Sequence, residues 1–153
     1  MKPVLLDTDV LSFYLKGNDE IVVSLCRRHL AVFGRLNISI ITHYEVLSGL
    51  HHRGAAKQLS AYRRFAAANN VLPLTLGAVE RSAVLYADVR GRGTPVDDID
   101  LLIAGIALEH GLPVATGNRS HFERITGLEV QTWSKAVRDG RQREVQDRNS
   151  RQP

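Results

Sequence analysis

The sequence predicts an α/β fold of three layers, in which helices cover both faces of a central, mostly parallel sheet of four to five strands. Segments with the composition of strands alternate along the chain with segments of helical periodicity, which is typical of parallel strand–helix–strand units. The first apolar run, Val4 to Leu6, has the character of a short buried strand and leads directly into Asp7. We therefore expect carboxylates at the carboxyl edge of the sheet, where open α/β folds bind ligands.

Five segments have the composition expected of strands. The second contains the β-branched run NISII, and the third carries Pro73, which places it near an edge of the sheet or near its own end. In chain order, the predicted strands are residues 3–6, 36–41, 71–74, 113–116 and 128–132.

Helical segments separate these strands. Apolar residues in 21–33 recur near helical spacing and Gly34 can end that helix, while Gly111 and Pro113 end the most clearly helical segment. In chain order, the predicted helices are residues 10–15, 21–33, 42–52, 55–68, 76–90, 98–110 and 119–124.

The 153 residues fit a single domain, which we place at residues 1–133. Apolar residues nearly vanish in residues 134–153, so a polar, basic and flexible tail is expected there. This tail holds six of the twenty basic residues and three of the sixteen acidic ones, which leaves the predicted domain with a net charge of only +1. Net charge therefore does not decide whether the protein binds nucleic acid.

The sequence lacks the features typical of membrane proteins and of secreted proteins. No apolar stretch approaches the ~20 residues that a membrane span needs, and the amino terminus lacks the pattern of a secretory signal. Cys26 is the only cysteine, so a reducing compartment is the simpler expectation. We expect a cytoplasmic protein.

At four places, acidic or amide side chains follow a predicted strand or begin a helix. Each has a structural explanation, because Asp and Asn are favoured helix caps and Thr42-x-x-Glu45 fits a capping box. In a parallel sheet, however, these positions lie along one edge, where several carboxylates repel one another unless they are protonated or bound to a cation. Carboxylate oxygens suit Mg²⁺ or Mn²⁺. The residues are Asp7, Asp9, Glu45, Asp97, Asp98, Asp100 and Asn118.

Three segments resemble the PIN-domain nucleases, and within them the VapC-type toxins of bacterial toxin–antitoxin pairs. LLDTDVLSFYLKG is similar to the opening strand of the family, and ISIITHYEVLSGL to the segment with its second acid. The most specific piece, DDIDLLIAGIALEHGLPVATGNRSHFERITGLEVQTW, is similar to the family over nearly forty residues around its third acid. The resemblance covers residues 3–133 and implies a PIN-like fold.

The resemblance implies roles for particular residues. Asp7, Glu45 and Asp100 would hold Mg²⁺ or Mn²⁺, and Asn118 falls where many relatives have a fourth acid, so a second ion would bind more weakly. Either Asp97 or Asp98 would cap the helix that presents Asp100, and His121 lies near the site by sequence. The implied catalytic residues are Asp7, Glu45, Asp100 and Asn118. The implied supporting residues are Thr8, Asp9, Asp98 and Thr116.

As a member of this group, the protein would be a metal-dependent endoribonuclease that cleaves RNA phosphodiesters with metal-activated water. The resemblance also implies a cognate VapB-type antitoxin, and a homodimer that forms a heterotetramer or larger assembly with it. Several cationic residues expected near the acidic edge are candidate RNA contacts, although each by itself is more simply explained as a solvated surface charge. They are Lys16, Arg53, Arg90, Arg92 and Arg119.

Two other functions fit parts of the pattern. A strand followed by Asp7-x-Asp9 is also typical of haloacid-dehalogenase-like phosphatases, but no lysine or later acidic pair stands in a convincing place for that chemistry. A catalytically weak or inactive PIN module that binds RNA or protein is the second alternative, and only Asn118 favours it.

Overall fold

Five short strands form the central layer of the protein, as the sequence predicts. The computed structural model describes residues 1–134, so the predicted tail lies outside the described residues except for Ser134. The strands are Leu5–Leu6 (β1), Asn37–Ser39 (β2), Asn70–Leu72 (β3), Val114–Thr116 (β4) and Val130–Thr132 (β5). They lie in the order β3-β2-β1-β4-β5, and every pairing in this part of the chain is parallel.

Six α-helices and one 3-10 turn connect the strands of the described range. None of these helices is both long and apolar enough to cross a membrane. The helices are Thr8–Lys16 (α1), Glu20–Phe33 (α2), Ile40–His52 (α3), Ala56–Ala68 (α4), Leu76–Gly91 (α5) and Asp98–Glu109 (α6), and the 3-10 turn is Arg119–His121.

Neighbouring residues of β1 belong to different hydrophobic cores. Leu6 is buried in a cluster with side chains of α1, α2 and α4, including Cys26 and Tyr62. Leu5 is buried on the other face of the sheet with side chains of α5 and α6, including Ile103. Because successive side chains of a strand point to opposite faces, helices cover both sides of the sheet. The predicted three-layer α/β/α fold is confirmed.

Several predicted boundaries differ from the observed ones by one to three residues, and two of these differences lie next to the acidic edge. The second strand ends at Ser39 rather than residue 41, because the Ser39 hydroxyl accepts a hydrogen bond from the Thr42 N–H (2.9 Å) and starts α3 at Ile40. The helix predicted over 119–124 is only the single 3-10 turn.

A buried histidine of α2 anchors the central strand. The Val4 N–H, just before β1, donates to Nε2 of His29 (3.2 Å), which is fully buried. Burial lowers the pKa of His29 and keeps the imidazole neutral, as an accepting ring nitrogen requires. This bond fixes the chain three residues before Asp7.

Candidate active site

Asp7 lies at the point where β1 ends and α1 begins. The Asp7 N–H donates to the Ala115 carbonyl of β4 (2.9 Å), which fixes its backbone. One carboxylate oxygen accepts from the Thr8 N–H (2.7 Å) as a helix cap, and the other accepts from the Thr116 hydroxyl (3.0 Å). With 4% of its surface exposed, the carboxylate is held in one orientation at the carboxyl edge of the sheet.

Glu45 reaches the same edge from the second turn of α3. Since Ser39 caps this helix, Thr42 is already its third residue, and the capping-box explanation of Thr42 and Glu45 is wrong. Oε1 of Glu45 instead accepts a hydrogen bond from Oγ1 of Thr8 (2.7 Å). The Glu45 carboxylate is therefore tied to α1 and not to its own helix end.

A chain of two hydroxyl groups orients Glu45. Oγ1 of Thr8 also lies 3.0 Å from Oγ1 of Thr42, which is fully buried. Because the single hydroxyl proton of Thr8 is directed at Glu45, the Thr42 hydroxyl must donate to Thr8. The sequence predicted only a cap for Thr42, and its position three residues before Glu45, on the same helix face, is the signal for this role.

Asp100 extends from the first turn of α6. Asp97 caps that helix by accepting from the Ile99 N–H (2.9 Å), which confirms that Asp97 or Asp98 takes this role and leaves Asp100 free of it. Oδ2 of Asp100 lies 3.4 Å from Nδ1 of His121.

The Asp98 side chain lies outside this arrangement, whereas the Asn118 N–H donates to the Thr116 hydroxyl that orients Asp7 (3.0 Å). Asp98 lines a hollow between α5 and α6 on another side of the helix. Asn118 is exposed, and its amide nitrogen lies 2.9 Å from Nε2 of His121 while its side-chain oxygen accepts from the Ser120 hydroxyl (2.6 Å). The structure thus places Asn118 behind His121, where it holds the ring that faces Asp100.

Asp7, Asp9, Glu45 and Asp100 line one cleft of about 480 Å³. Thr8, Ser120 and His121 also line it, together with the loop at Pro95–Asp97. Arg124 is the sole lysine or arginine among the described lining residues. It was not predicted as a contact, and the sequence signal for it is its place in the segment HFER, three residues after His121.

Negative charge in the cleft is poorly compensated. Burial, followed by the charge of Asp9, raises the pKa of the Asp7 carboxyl to about 7. Burial also raises the pKa of Asp100 to about 6, although His121 opposes the shift. Near neutral pH, Asp7 is therefore only partly ionised, whereas Asp100 is mostly ionised, and a bound cation would stabilise the ionised form of both.

The donor set fits a hard divalent cation in its chemistry. It consists of carboxylate and hydroxyl oxygens, and the acids carry charge that burial disfavours. With the side chains in their present positions, no three His, Cys, Asp or Glu residues among residues 1–134 lie close enough together to hold one ion. Coordination therefore requires the acids to draw together.

The cations predicted to contact RNA fall into two groups. Lys16 and Arg53 line a neighbouring groove of about 710 Å³ between α1, α3 and α4, which shares Thr8 and Glu45 with the acidic cleft. The other three are engaged in contacts away from the described cleft lining. They are Arg90 over the ring of Tyr86, Arg92 with Asp88, and Arg119 with Glu123.

Comparison with known proteins places this architecture in a family. The family model described as PIN domain matches residues 4–128 of the chain. The tRNA(fMet)-specific endonuclease VapC of Salmonella typhimurium is 31% identical over 134 residues, which is 87% of this chain and 99% of that protein.

Chains in solved structures have the same fold as this protein. DNA-bound VapBC from Salmonella typhimurium contains a chain with a TM-score of 0.76 and 30% identity, and the match covers 87% of this chain and 99% of that one. VapBC2 from Rickettsia felis, bound to a DNA fragment from its promoter, gives a TM-score of 0.77 at 19% identity and covers 87% of this chain and 100% of that one.

Proposed function

This chain belongs to the PIN-domain family, and from that premise we propose that it is an endoribonuclease of the VapC type, the toxin of a toxin–antitoxin pair. The observation that carries this function is the cleft at the carboxyl edge of the sheet that Asp7, Glu45 and Asp100 all line. The similar Salmonella protein is named a tRNA-specific endonuclease, which supports RNA phosphodiesters as the substrate class.

A VapB-type antitoxin is the proposed partner, and it holds the nuclease inactive. The similar Salmonella structure is that of a VapBC assembly. The groove lined by Lys16 and Arg53 shares Thr8 and Glu45 with the acidic cleft, so a segment bound in this groove would lie against the acids. A homodimer remains a prediction.

Mg²⁺ or Mn²⁺ is the proposed cofactor, with Asp7, Glu45 and Asp100 as its ligands. When bound, such an ion lowers the pKa of water and neutralises charge on a phosphodiester. Thr116 orients the Asp7 carboxylate and Thr8 orients that of Glu45. Because burial raises the pKa of Asp7 to about 7 and that of Asp100 to about 6, ion binding near these pH values must displace protons, and the affinity should rise with pH between about 6 and 8.

The phosphatase alternative finds little support in the geometry. Among the described residues that line the cleft, there is no lysine to neutralise a phosphoryl group.

Replacing Asp100 with asparagine tests the function. We expect Asp100→Asn to lower RNA cleavage at least about a hundredfold. Even the loss of a group that only hydrogen-bonds to a metal ligand lowers metal affinity or activity about 10–100-fold. The assay uses purified protein, Mg²⁺ or Mn²⁺, and initiator tRNA among a set of structured RNAs. Asp98→Asn is the matched control, because Asp98 lies in the same helical turn but outside the cleft, and it should leave cleavage unchanged. Undiminished cleavage by Asp100→Asn would contradict the assignment.

The hydroxyl chain gives a second test. Thr42→Val keeps the shape of a buried side chain but removes the donor to Thr8, so we expect cleavage to fall about tenfold with the fold intact. Thr132→Val is the control, because its buried hydroxyl has no hydrogen-bond partner within the described residues. Circular dichroism checks the fold of both variants. Equal rates for the two variants would show that the Thr42 hydroxyl does not position Glu45.

A further inference from the structure

We propose that Arg124 binds a backbone phosphate of the RNA in the acidic cleft. The inference rests on the proposed nuclease function and names a residue that recognises its substrate. Arg124 lies on the loop after the 3-10 turn, and it lines the cleft together with Asp7, Asp100 and His121.

The guanidinium of Arg124 is available to a ligand. Within residues 1–134 it takes part in no hydrogen bond or ion pair, although the cleft that it lines is rich in carboxylates. Arg124 is therefore not paired with any of the acids in the described residues, and its guanidinium remains available to a ligand.

The backbone of Arg124, in contrast, is firmly held. Nη2 of Arg92 donates to the Arg124 carbonyl (2.6 Å), and Arg92 is fixed by two hydrogen bonds to Asp88 (2.8 and 3.3 Å). The Thr126 hydroxyl donates to Asp88 as well (3.1 Å). These contacts join the loop to the end of α5 and fix the point from which the Arg124 side chain extends.

This arrangement changes the role of Arg92. The sequence predicted a direct RNA contact for Arg92, but its guanidinium is bound to Asp88 and to the Arg124 carbonyl. Arg92 is a positioning residue that acts through Arg124.

Phosphate is the ligand that this geometry favours. A cleft lined by several carboxylates repels the RNA backbone, and a fixed cation beside the acids would reduce this repulsion in addition to the proposed metal ion. A guanidinium offers paired donors in the plane that suits phosphate oxygens. Arg124 supplies this cation where the described cleft lining offers no other lysine or arginine.

The test compares Arg124→Gln, Arg124→Lys and wild type in RNA binding and cleavage. We expect Arg124→Gln to raise KM about tenfold with a smaller change in kcat, and to reduce the slope of log K against log salt by about one. Arg124→Lys keeps the charge and should retain the wild-type slope. Arg28→Gln, an exposed cation of α2, controls for net charge. If Arg124→Gln matches Arg28→Gln in KM and slope, the inference is overturned.

A double-mutant cycle tests the role of Arg92. Arg92→Gln should raise KM, and the double variant Arg92→Gln/Arg124→Gln should be no worse than Arg124→Gln alone. Additive losses would mean that Arg92 contacts RNA by itself, which would overturn its positioning role.

If the protein is not a nuclease, the result differs from the one expected if only the Arg124 inference is wrong. In that case wild type and Asp100→Asn are equally inactive on every RNA. The binding slope, measured in EDTA so that no cleavage occurs, still reports on Arg124.

Discussion

Asp7→Asn is expected to abolish RNA cleavage while stabilising the folded, metal-free protein at pH 8 by about 2–4 kcal/mol. The loss of activity follows from removing a proposed metal ligand. The gain in stability follows from burial, because the Asp7 carboxyl is 4% exposed and its pKa is raised from 3.8 to about 7. Ionisation of this group therefore opposes folding when no cation is bound.

The stability gain should depend on pH in a defined direction. Between pH 3.8 and about 7 the folded protein keeps the Asp7 proton while the unfolded chain loses it, so wild-type stability from this group falls as pH rises. The advantage of Asp7→Asn should be near zero at about pH 4, grow with pH and level off above about pH 7.

Asparagine can replace Asp7 without breaking its contacts. The side-chain oxygen can still accept from the Thr8 N–H, and the amide nitrogen can donate to the Thr116 hydroxyl. Urea unfolding in EDTA at several pH values measures the effect. Glu80→Gln on the exposed face of α5 is the control and should change stability by less than about 0.5 kcal/mol. A gain that does not vary with pH would rule out the buried charge as its cause.

Gly105→Ala is expected to destabilise the protein by about 3 kcal/mol and lower Tm by about 10 °C. Gly105 of α6 packs directly against Ala78 and Ser82 of α5. A methyl group there would collide with the Ser82 hydroxyl and lie 2.6 Å from the Ala78 carbonyl oxygen, which is backbone and cannot rotate away. The two helices would have to separate.

A glycine-to-alanine substitution in α3 is expected to have the opposite effect on stability. At Gly49, an added methyl group would meet only the end of the Arg53 side chain at 3.8 Å, so Gly49→Ala should stabilise the helix by about 0.5–1 kcal/mol. Thermal unfolding of the two variants makes the comparison. Separation of α5 from α6 should also displace Asp100 and reduce cleavage by Gly105→Ala. Equal Tm values for the two variants would contradict the close helix contact.

Much of the fold could be predicted from the sequence, and the errors have local causes. All five strands were found, because apolar runs bounded by turn residues are a local property. The start of α3 was misplaced because Ser39 and Thr42 can both cap a helix, and the intervening isoleucines suit a strand or a buried helix equally. That error made Glu45 look like a capping residue.

The acidic residues of the candidate site could be predicted from the sequence, but the residues that contact them could be predicted less well. Asp7, Glu45 and Asp100 follow from strand ends and family resemblance, and the structure brings them to one cleft. Asn118 contacts the site indirectly, through His121 and through the Thr116 hydroxyl, and its catalytic role stays a prediction. Arg92 and Arg124 carry the same charge in the sequence; the i,i+4 spacing of Asp88 and Arg92 is a local signal for their ion pair, but only the structure shows that Arg92 also holds the Arg124 carbonyl.

The sequence by itself determined the α/β architecture and the edge of the sheet where the acids lie, because helical and strand periodicity and the positions of acids after strands are local features. Only the tertiary structure decided which groups orient the acidic side chains. Thr116 and Asp7 are 109 positions apart, Thr8 and Glu45 are 37 apart, and Arg92 and Arg124 are 32 apart. Such contacts depend on strand order and side-chain packing, which bring distant segments within hydrogen-bonding distance only when the whole domain has folded.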